Sequence, residues 1–447
     1  MPPSPVLESI AYPNSSEEFM TSSELSRRAF LRKSTSMFAA AFAGIPQVVQ
    51  ALPKAVTDLG KVKITDIKTA QIMARYVFNL VRIETDSGLF GIGEAFARQG
   101  IVEHIHAMKP LLVGQDPLLV ETHWNRLMEA GSGIGSAAGS LTSAIAGIES
   151  AMWDLAGKIL NVPIYALLGG KYREKLMVYF DTGSPSTPDP APWVEEAQKA
   201  LSLGYKSIKF DLDWESRGQG VAGKVPYKYR REFWNRSVTS EEMQQWVGIL
   251  ESIRKAIGDK IDLSVDCHWE YNTRDALKFA QMVEPLNLLF LEDPTPPENP
   301  DAMARITAAT RTPIATGENL YTRHQFRPYV EKQACDIIQP DTQKTGGLLE
   351  TKRIGDLADL YYIPMAVHNY GSPVGALGSG HVAMASRSFL QLESDSVDIP
   401  WWSKLVEWDG PLYKDGFLTI PNKPGLGVNL NEDVCKAHLA PGTKWFA

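Results

Sequence analysis

Eight short apolar stretches, each ending in a polar residue, constrain this 447-residue chain more than any other feature. They are "LMVYFDTG" near 176, "SIKFD" near 207, "IDLSVDC" near 261, "LNLLFLED" near 286, "TPIATGEN" near 312, "CDIIQPD" near 335, "YIPMAVHN" near 362 and "SFLQLES" near 388. Helix-like segments separate them, at 240–257, 273–284, 346–361 and 374–385 among others. Eight βα units in succession predict a closed (β/α)8 barrel. A doubly wound open sheet also alternates strand and helix, but no glycine-rich dinucleotide loop follows the first strand here.

A barrel opens its βα loops at the C-terminal ends of its strands, so residues there share one mouth. The polar strand-end residues are Lys209 and Asp211, Asp266 and His268, then Glu292, Glu318, Asp341, His368 and Glu393. From Asp266 to Glu393 they follow one another at steps of 26, 26, 23, 27 and 25 residues, one βα unit each time. Asp266, Glu292 and Glu318 end three consecutive strands. A lone acid at such a place caps the next helix. Three in register repel one another unless a cation neutralises them. Carboxylates without thiolate partners describe a hard-cation site, best suited to Mg2+.

The rest of the chain frames that barrel. Residues 61–175 read as an α+β unit, beginning with the alternating stretches "KITDIKTA" and "YVFNLVRIETDSGLFGIGEA". Asp86-Ser87-Gly88 supplies a hairpin turn there, and helices are expected around 101–112, 117–129 and 139–160. The tail, 399–447, has no barrel strand left to make and is expected to pack back on this unit, the two forming a cap over the barrel of 176–398. Between strand two and its helix, residues 215–238 form a long loop rich in glycine, basic and aromatic residues, expected to be a lid or an oligomer contact. Residues 1–55 are set apart: "SRRAFLRK" at 26–33, the apolar run "MFAAAFAGI" and small residues near Val49-Gln50-Ala51 resemble a twin-arginine export signal. That run is too short to be a membrane span, so export to the periplasm is expected.

A net charge of −7 argues against a nucleic-acid or anionic-membrane surface. Small anionic substrates remain compatible with it, since a bound metal outweighs a mildly acidic surface. Three cysteines with no CxxC pair point to free thiols.

Taken in order, "LEDP" at 291–294, "TGEN" at 316–319, "QPD" at 339–341 and "VHN" at 367–369 resemble the enolase superfamily, in its mandelate racemase/muconate lactonizing subgroup. The resemblance spans nearly all of the chain after the leader. It implies a modified (β/α)8 barrel with a capping domain, homo-oligomers, and Mg2+ held by Asp266, Glu292 and Glu318. His368 matches the base that takes a proton from the carbon next to a substrate carboxylate, and Asp341 matches its hydrogen-bonded partner. Lys209 and Glu393 match residues near that carboxylate. The implied chemistry is a metal-stabilised enediolate, because a carboxylate α-proton is too weakly acidic to leave without a cation where charge develops.

Two departures select within the subgroup. Two-base racemases resemble this chain except that a second lysine stands where Asp211 does, and an aspartate is a poor substitute for it; Asp211 is expected near the substrate instead. His268, two residues past Asp266 and so on the same face of an extended strand, resembles the acid that protonates the leaving hydroxyl in acid-sugar dehydratases, the galactonate and mannonate dehydratases among them. The expectation is dehydration of an aldonate to a 2-keto-3-deoxy sugar acid. Racemisation or epimerisation at the same site, and a weakly active sugar-acid-binding homologue, stay open. Cys267 is expected to be a buried thiol, His324 a surface or capping group, and Trp401-Trp402 buried in the tail; Tyr76 is undecided.

Overall fold

A computed structural model describes residues 61–132, 137–182, 184–185, 187–212 and 235–447. The leader and nearly all of the 215–238 loop lie outside the described residues.

An antiparallel sheet comes first: β1 (Ile64–Met73), β2 (Val77–Thr85) and β3 (Phe90–Ala95) pair in sequence order. Gly88, at φ 82°, takes the left-handed conformation that closes the β2–β3 turn. Helices α1 (Ile101–Met108), α2 (Val120–Gly131) and α3 (Ser140–Leu160) cover this sheet, and α4 (Ile164–Leu167) leads out of it. α3 is buried along most of its 21 residues. It lies backbone to backbone on β3, because a Cβ at Gly93 would sit 2.5 Å from Ala151 N and one at Gly147 would sit 2.5 Å from the Ala95 Cβ. Larger residues at these positions would force the two elements apart.

The barrel follows. Its strands are β4 (Leu176–Asp181), β5 (Ser207–Asp211), β6 (Asp262–Asp266), β7 (Phe290–Glu292), β8 (Ile314–Thr316), β9 (Ile337–Ile338), β10 (Met365–Val367) and β11 (Phe389–Ser394). Each pairs parallel with the next, and β11 pairs with β4 through Leu392–Val178, Glu393–Tyr179 and Ser394–Phe180, which closes the ring. Among the described residues seven helices wrap it: α5 (Pro190–Ser202), α6 (Ser240–Ile257), α7 (Thr273–Met282), α8 (Pro300–Thr307), α9 (Thr322–Glu331), α10 (Leu348–Asp359) and α11 (Pro373–Ala385). After β11 the described chain makes a 3-10 turn, Trp402–Leu405, and further on a short helix, α12 (Glu432–Ala437).

The tail reaches further than expected. β12 (Tyr413–Lys414) and β13 (Phe417–Leu418) form a hairpin that pairs antiparallel with the start of β4, through Phe417–Met177 and Leu418–Leu176. The first residues of β4 precede its pairing with β5, so their backbone is open to the hairpin. The tail also meets the N-terminal sheet, with a bridge between Ile72 and Leu439. Buried Asp154 of α3 ties these parts together, accepting from Ile92 N and Leu426 N at 2.7 Å each.

Candidate active site

Strand register brings the predicted acids together. Asp211 pairs with Asp266 across β5 and β6, and Asp266 pairs with Glu292 across β6 and β7. Glu318 lies just past β8, after Gly317 at φ 146°, where an added Cβ would meet Phe326 and Gln339 within 3.0 Å. None of the three expected metal ligands caps a helix: those positions fall to Asn272, Asn299 and Tyr321. Glu292, Asp266 and Glu318 are all buried.

Three basic side chains, Lys209, His368 and Lys344, meet this acid ring. Lys209 Nζ lies 2.6 Å from Glu393 Oε1, 3.1 Å from Glu292 Oε2 and 3.5 Å from Asp266 Oδ2. Burial alone would lower its pKa, but Glu292 and Glu393 outweigh that and hold it well above the usual lysine value. His368 Nδ1 lies 2.7 Å from Asp341 Oδ2, and its Nε2 lies 2.5 Å from Glu318 Oε2 and 3.5 Å from Glu393 Oε2. Burial opposes the charged imidazole, yet Glu318 and Glu393 raise its pKa well above the usual range. Glu318 is correspondingly held low: burial is outweighed by Lys344 and His368.

His268 reaches Asp266 by a route that strand alternation did not anticipate. β6 stops at Asp266, and His268 and Trp269 both take left-handed φ values, 43° and 62°. His268 N donates to Asp266 Oδ1 at 2.8 Å, and its Nε2 lies 3.4 Å from Asp266 Oδ2. A tight turn over the carboxylate, rather than an extended strand, sets the spacing. Cys267 between them is buried, as expected of a packed thiol.

The residues fit a hard divalent cation in their chemistry. Asp266, Glu292 and Glu318 offer only oxygens, and Glu292 Oε1 is buried without a hydrogen-bond partner among the described residues. The tightest grouping, however, is Asp211, Asp266 and His268, whose ligand-type atoms lie within 4.8 Å of one another. Among the described residues Glu292 and Glu318 do not join that cluster; Lys209 and His368 are ion-paired to them instead.

Several neighbours were not singled out from the sequence. Asp181 ends β4, the strand the strand-end rule passed over; burial and the nearby Asp211 push its carboxyl well up. Lys344, three residues past Asp341, donates to Asn319 Oδ1 at 2.9 Å and stands 4.4 Å from the Phe96 ring centre, and no sequence pattern marks it. Tyr76 does come to the rim: its ring centre is 3.8 Å from that of Tyr370, which stacks at 6.5 Å on His368. His324 is exposed and Trp402 is buried, while Trp401 stacks on His438 at 3.7 Å.

A closed parallel barrel whose mouth carries an acid ring, a His–Asp pair and a second histidine is an arrangement suited to acid–base chemistry. The known proteins agree. Residues 61–169 match the mandelate racemase/muconate lactonizing enzyme N-terminal domain, and residues 193–434 match the enolase C-terminal domain-like family. The chain belongs to the enolase superfamily, in its mandelate racemase/muconate lactonizing group, and is an enzyme, a lyase. It is 42% identical to a D-xylonate dehydratase of Haloferax volcanii over 86% of this chain and 90% of that one. It is 31% identical to a D-galactonate dehydratase of Pectobacterium atrosepticum over 83% and 93%. Among solved structures, a mandelate racemase/muconate lactonizing enzyme-like protein from Rubrobacter xylanophilus shares 35% identity at a TM-score of 0.81, covering 86% of this chain and 99% of that one.

Proposed function

We propose that this protein is a Mg2+-dependent aldonate dehydratase that removes water across carbons 2 and 3 and releases a 2-keto-3-deoxy sugar acid. The observation that carries the reading is the pairing of two histidines at one mouth: His368 bound to Asp341, and His268 turned over Asp266. The identity to the xylonate dehydratase supports a five-carbon aldonate, D-xylonate first, as the substrate to test.

A divalent cation held by Asp266, Glu292 and Glu318 would supply positive charge where the substrate carboxylate gains electron density. Asp341 accepts from His368 Nδ1–H, which fixes the ring so that Nε2, facing Glu318 and Glu393 here, is the nitrogen that takes the carbon-2 proton once Glu318 is drawn to the cation. His268 gives a proton to the departing carbon-3 hydroxyl, which leaves as water, and the resulting enol ketonises. Lys209 and Glu393 lie together beside that centre to meet the substrate carboxylate. Asp211, beside Asp266 and His268, faces the hydroxyl side of the substrate rather than serving as a second base. Export by the residue 1–55 leader and assembly into homo-oligomers complete the reading.

The test is a panel of pentonates and hexonates incubated with the protein and Mg2+. Release of a 2-keto-3-deoxy acid supports dehydration. Carbon-2 deuterium incorporation from solvent without a keto product would replace it with epimerisation. Binding with neither would make the protein a sugar-acid receptor.

A further inference from the structure

The capping domain reaches the loops behind the His368–Asp341 pair with two buried glutamates. Glu149, on α3, accepts from Leu348 N at 2.7 Å, from Leu349 N at 3.0 Å and from Trp153 Nε1 at 2.6 Å. Leu348 and Leu349 open α10, the helix that follows the Asp341 strand end, and its own N-cap residue is Gly347, which has no side chain to offer. A Cβ at Gly347 would lie 2.2 Å from Glu149 Oε2, so glycine makes room for the foreign carboxylate. Nearby, Trp124 Nε1 on α2 donates to Gly346 O at 2.7 Å.

Glu94, at the end of β3, does the same for the other strand. It accepts from Ser372 N at 2.9 Å, from Gly375 N at 3.0 Å and from the Ser372 hydroxyl. Ser372 and Gly375 belong to the N-terminus of α11, the helix that follows His368. The two loops are also joined to each other. Gln343 N donates to Asp341 Oδ1 at 2.7 Å, while the Gln343 amide packs where Cβ atoms at Gly371 and Gly375 would be, within 2.2 Å. Contacts therefore run from Glu94 through Ser372, Gly375 and Gln343 to Asp341 and His368. Glu94 and Glu149 cannot shift independently, since the glycines of β3 and α3 lock those two elements together.

We infer that Glu94 and Glu149 are positioning residues: the capping domain sets the catalytic geometry of His368 and Asp341 by capping the two barrel helices that follow them. Part of this inference, the effect on turnover, rests on the dehydratase reading above; the structural part does not. A group displaced by about 1 Å loses on the order of 100-fold in rate, so loosening either cap should lower kcat and leave substrate binding nearly intact.

The experiment compares full-length wild type, Glu94→Gln, Glu149→Gln and a capping-core control, Ile83→Ala. Ile83 is buried in β2 away from both caps. Each glutamine keeps the volume but turns an N–H group toward backbone donors. Amide hydrogen exchange over 341–350 and 369–376 is measured first, then kcat and KM on whichever aldonate the wild type dehydrates, with every variant assayed equally far below its own Tm. The expected result is faster exchange at 369–376 in Glu94→Gln and at 341–350 in Glu149→Gln. A 10- to 100-fold drop in kcat should accompany it, with KM within about twofold and neither change in the Ile83→Ala control. Unchanged exchange in both variants overturns the inference whether or not any aldonate is turned over. Faster exchange with unchanged kcat, or losses matched by the control, overturns it as well. If the wild type dehydrates no aldonate while exchange responds as expected, the function assignment fails and the anchoring role stands.

Discussion

Asp341 and His368 meet twice: their backbones form a parallel bridge beyond the ends of β9 and β10, and Asp341 Oδ2 lies 2.7 Å from His368 Nδ1. The side-chain pair is thus fixed by the ladder that joins β9 to β10. Asp341→Asn would keep the shape and offer an amide N–H where a carboxylate now accepts, favouring the wrong tautomer. His368→Asn removes the base itself. Both should lower kcat on an aldonate by roughly 1,000-fold or more, and His368→Asn should also abolish carbon-2 proton exchange, read by deuterium incorporation from D2O.

His268 gives the complementary result. If it acts only on the leaving hydroxyl, His268→Asn leaves carbon-2 exchange running and slows release of the keto product by about 100-fold or more. Wild-type dehydration in that variant would refute the acid assignment.

The mouth of the barrel was legible because its residues obey a local rule. A βα unit has a nearly fixed length, so a step of about 25 residues is enough to line up Asp266, Glu292, Glu318, Asp341, His368 and Glu393. What was not legible depends on partners far away in sequence. Glu94 reads as one more polar residue in an alternating strand, and only the arrival of α11, some 280 residues later, makes it a helix cap. The tail hairpin is similar, because two-residue strands carry no periodicity and form only where the start of β4 lacks another neighbour. At His268 the sequence puts the residue beside Asp266 but misses the geometry that does so. Period-two alternation predicts a side, whereas the chain leaves the strand through two left-handed residues.

The proposed metal dependence is tested at the acid ring. Activity should vanish with a chelator and return with Mg2+. A cation that binds only the folded state raises its stability by about 2.7 kcal/mol at 100 times its Kd, so Tm should climb with Mg2+ concentration. Glu292→Gln, which removes a charge while keeping the shape, should flatten that climb. An equal Mg2+ response in the variant would remove Glu292 from the ligand set.

The pH dependence of stability can be isolated at His381, far from the chemistry. This buried imidazole on α11 accepts from Tyr165 N at 3.2 Å through Nδ1, so its Nε2–H faces Leu426 O at 3.3 Å, joining barrel, α4 and tail. Burial lowers its pKa from 6.5 to about 4, which the hydrogen bond to Leu426 offsets only in part. Below pH 6.5 the unfolded chain takes up a proton that the folded chain refuses until about pH 4. The stabilising contribution is therefore complete above pH 6.5 and is lost as pH falls toward 4, by roughly 3 kcal/mol in all. Glu94 and Glu149 act in the opposite sense, since burial raises both carboxyls from 4.5 to about 7. They hold protons in the folded state that the unfolded state releases, so their contribution grows as pH falls from 7 to 4.5. Comparing wild type with His381→Gln cancels those common groups. Urea unfolding at pH 7.5 and pH 5 should show the wild type losing roughly 2 kcal/mol more than the variant over that interval. Parallel losses would mean that His381 is protonated in the folded protein and that its contacts with Tyr165 and Leu426 do not hold it neutral.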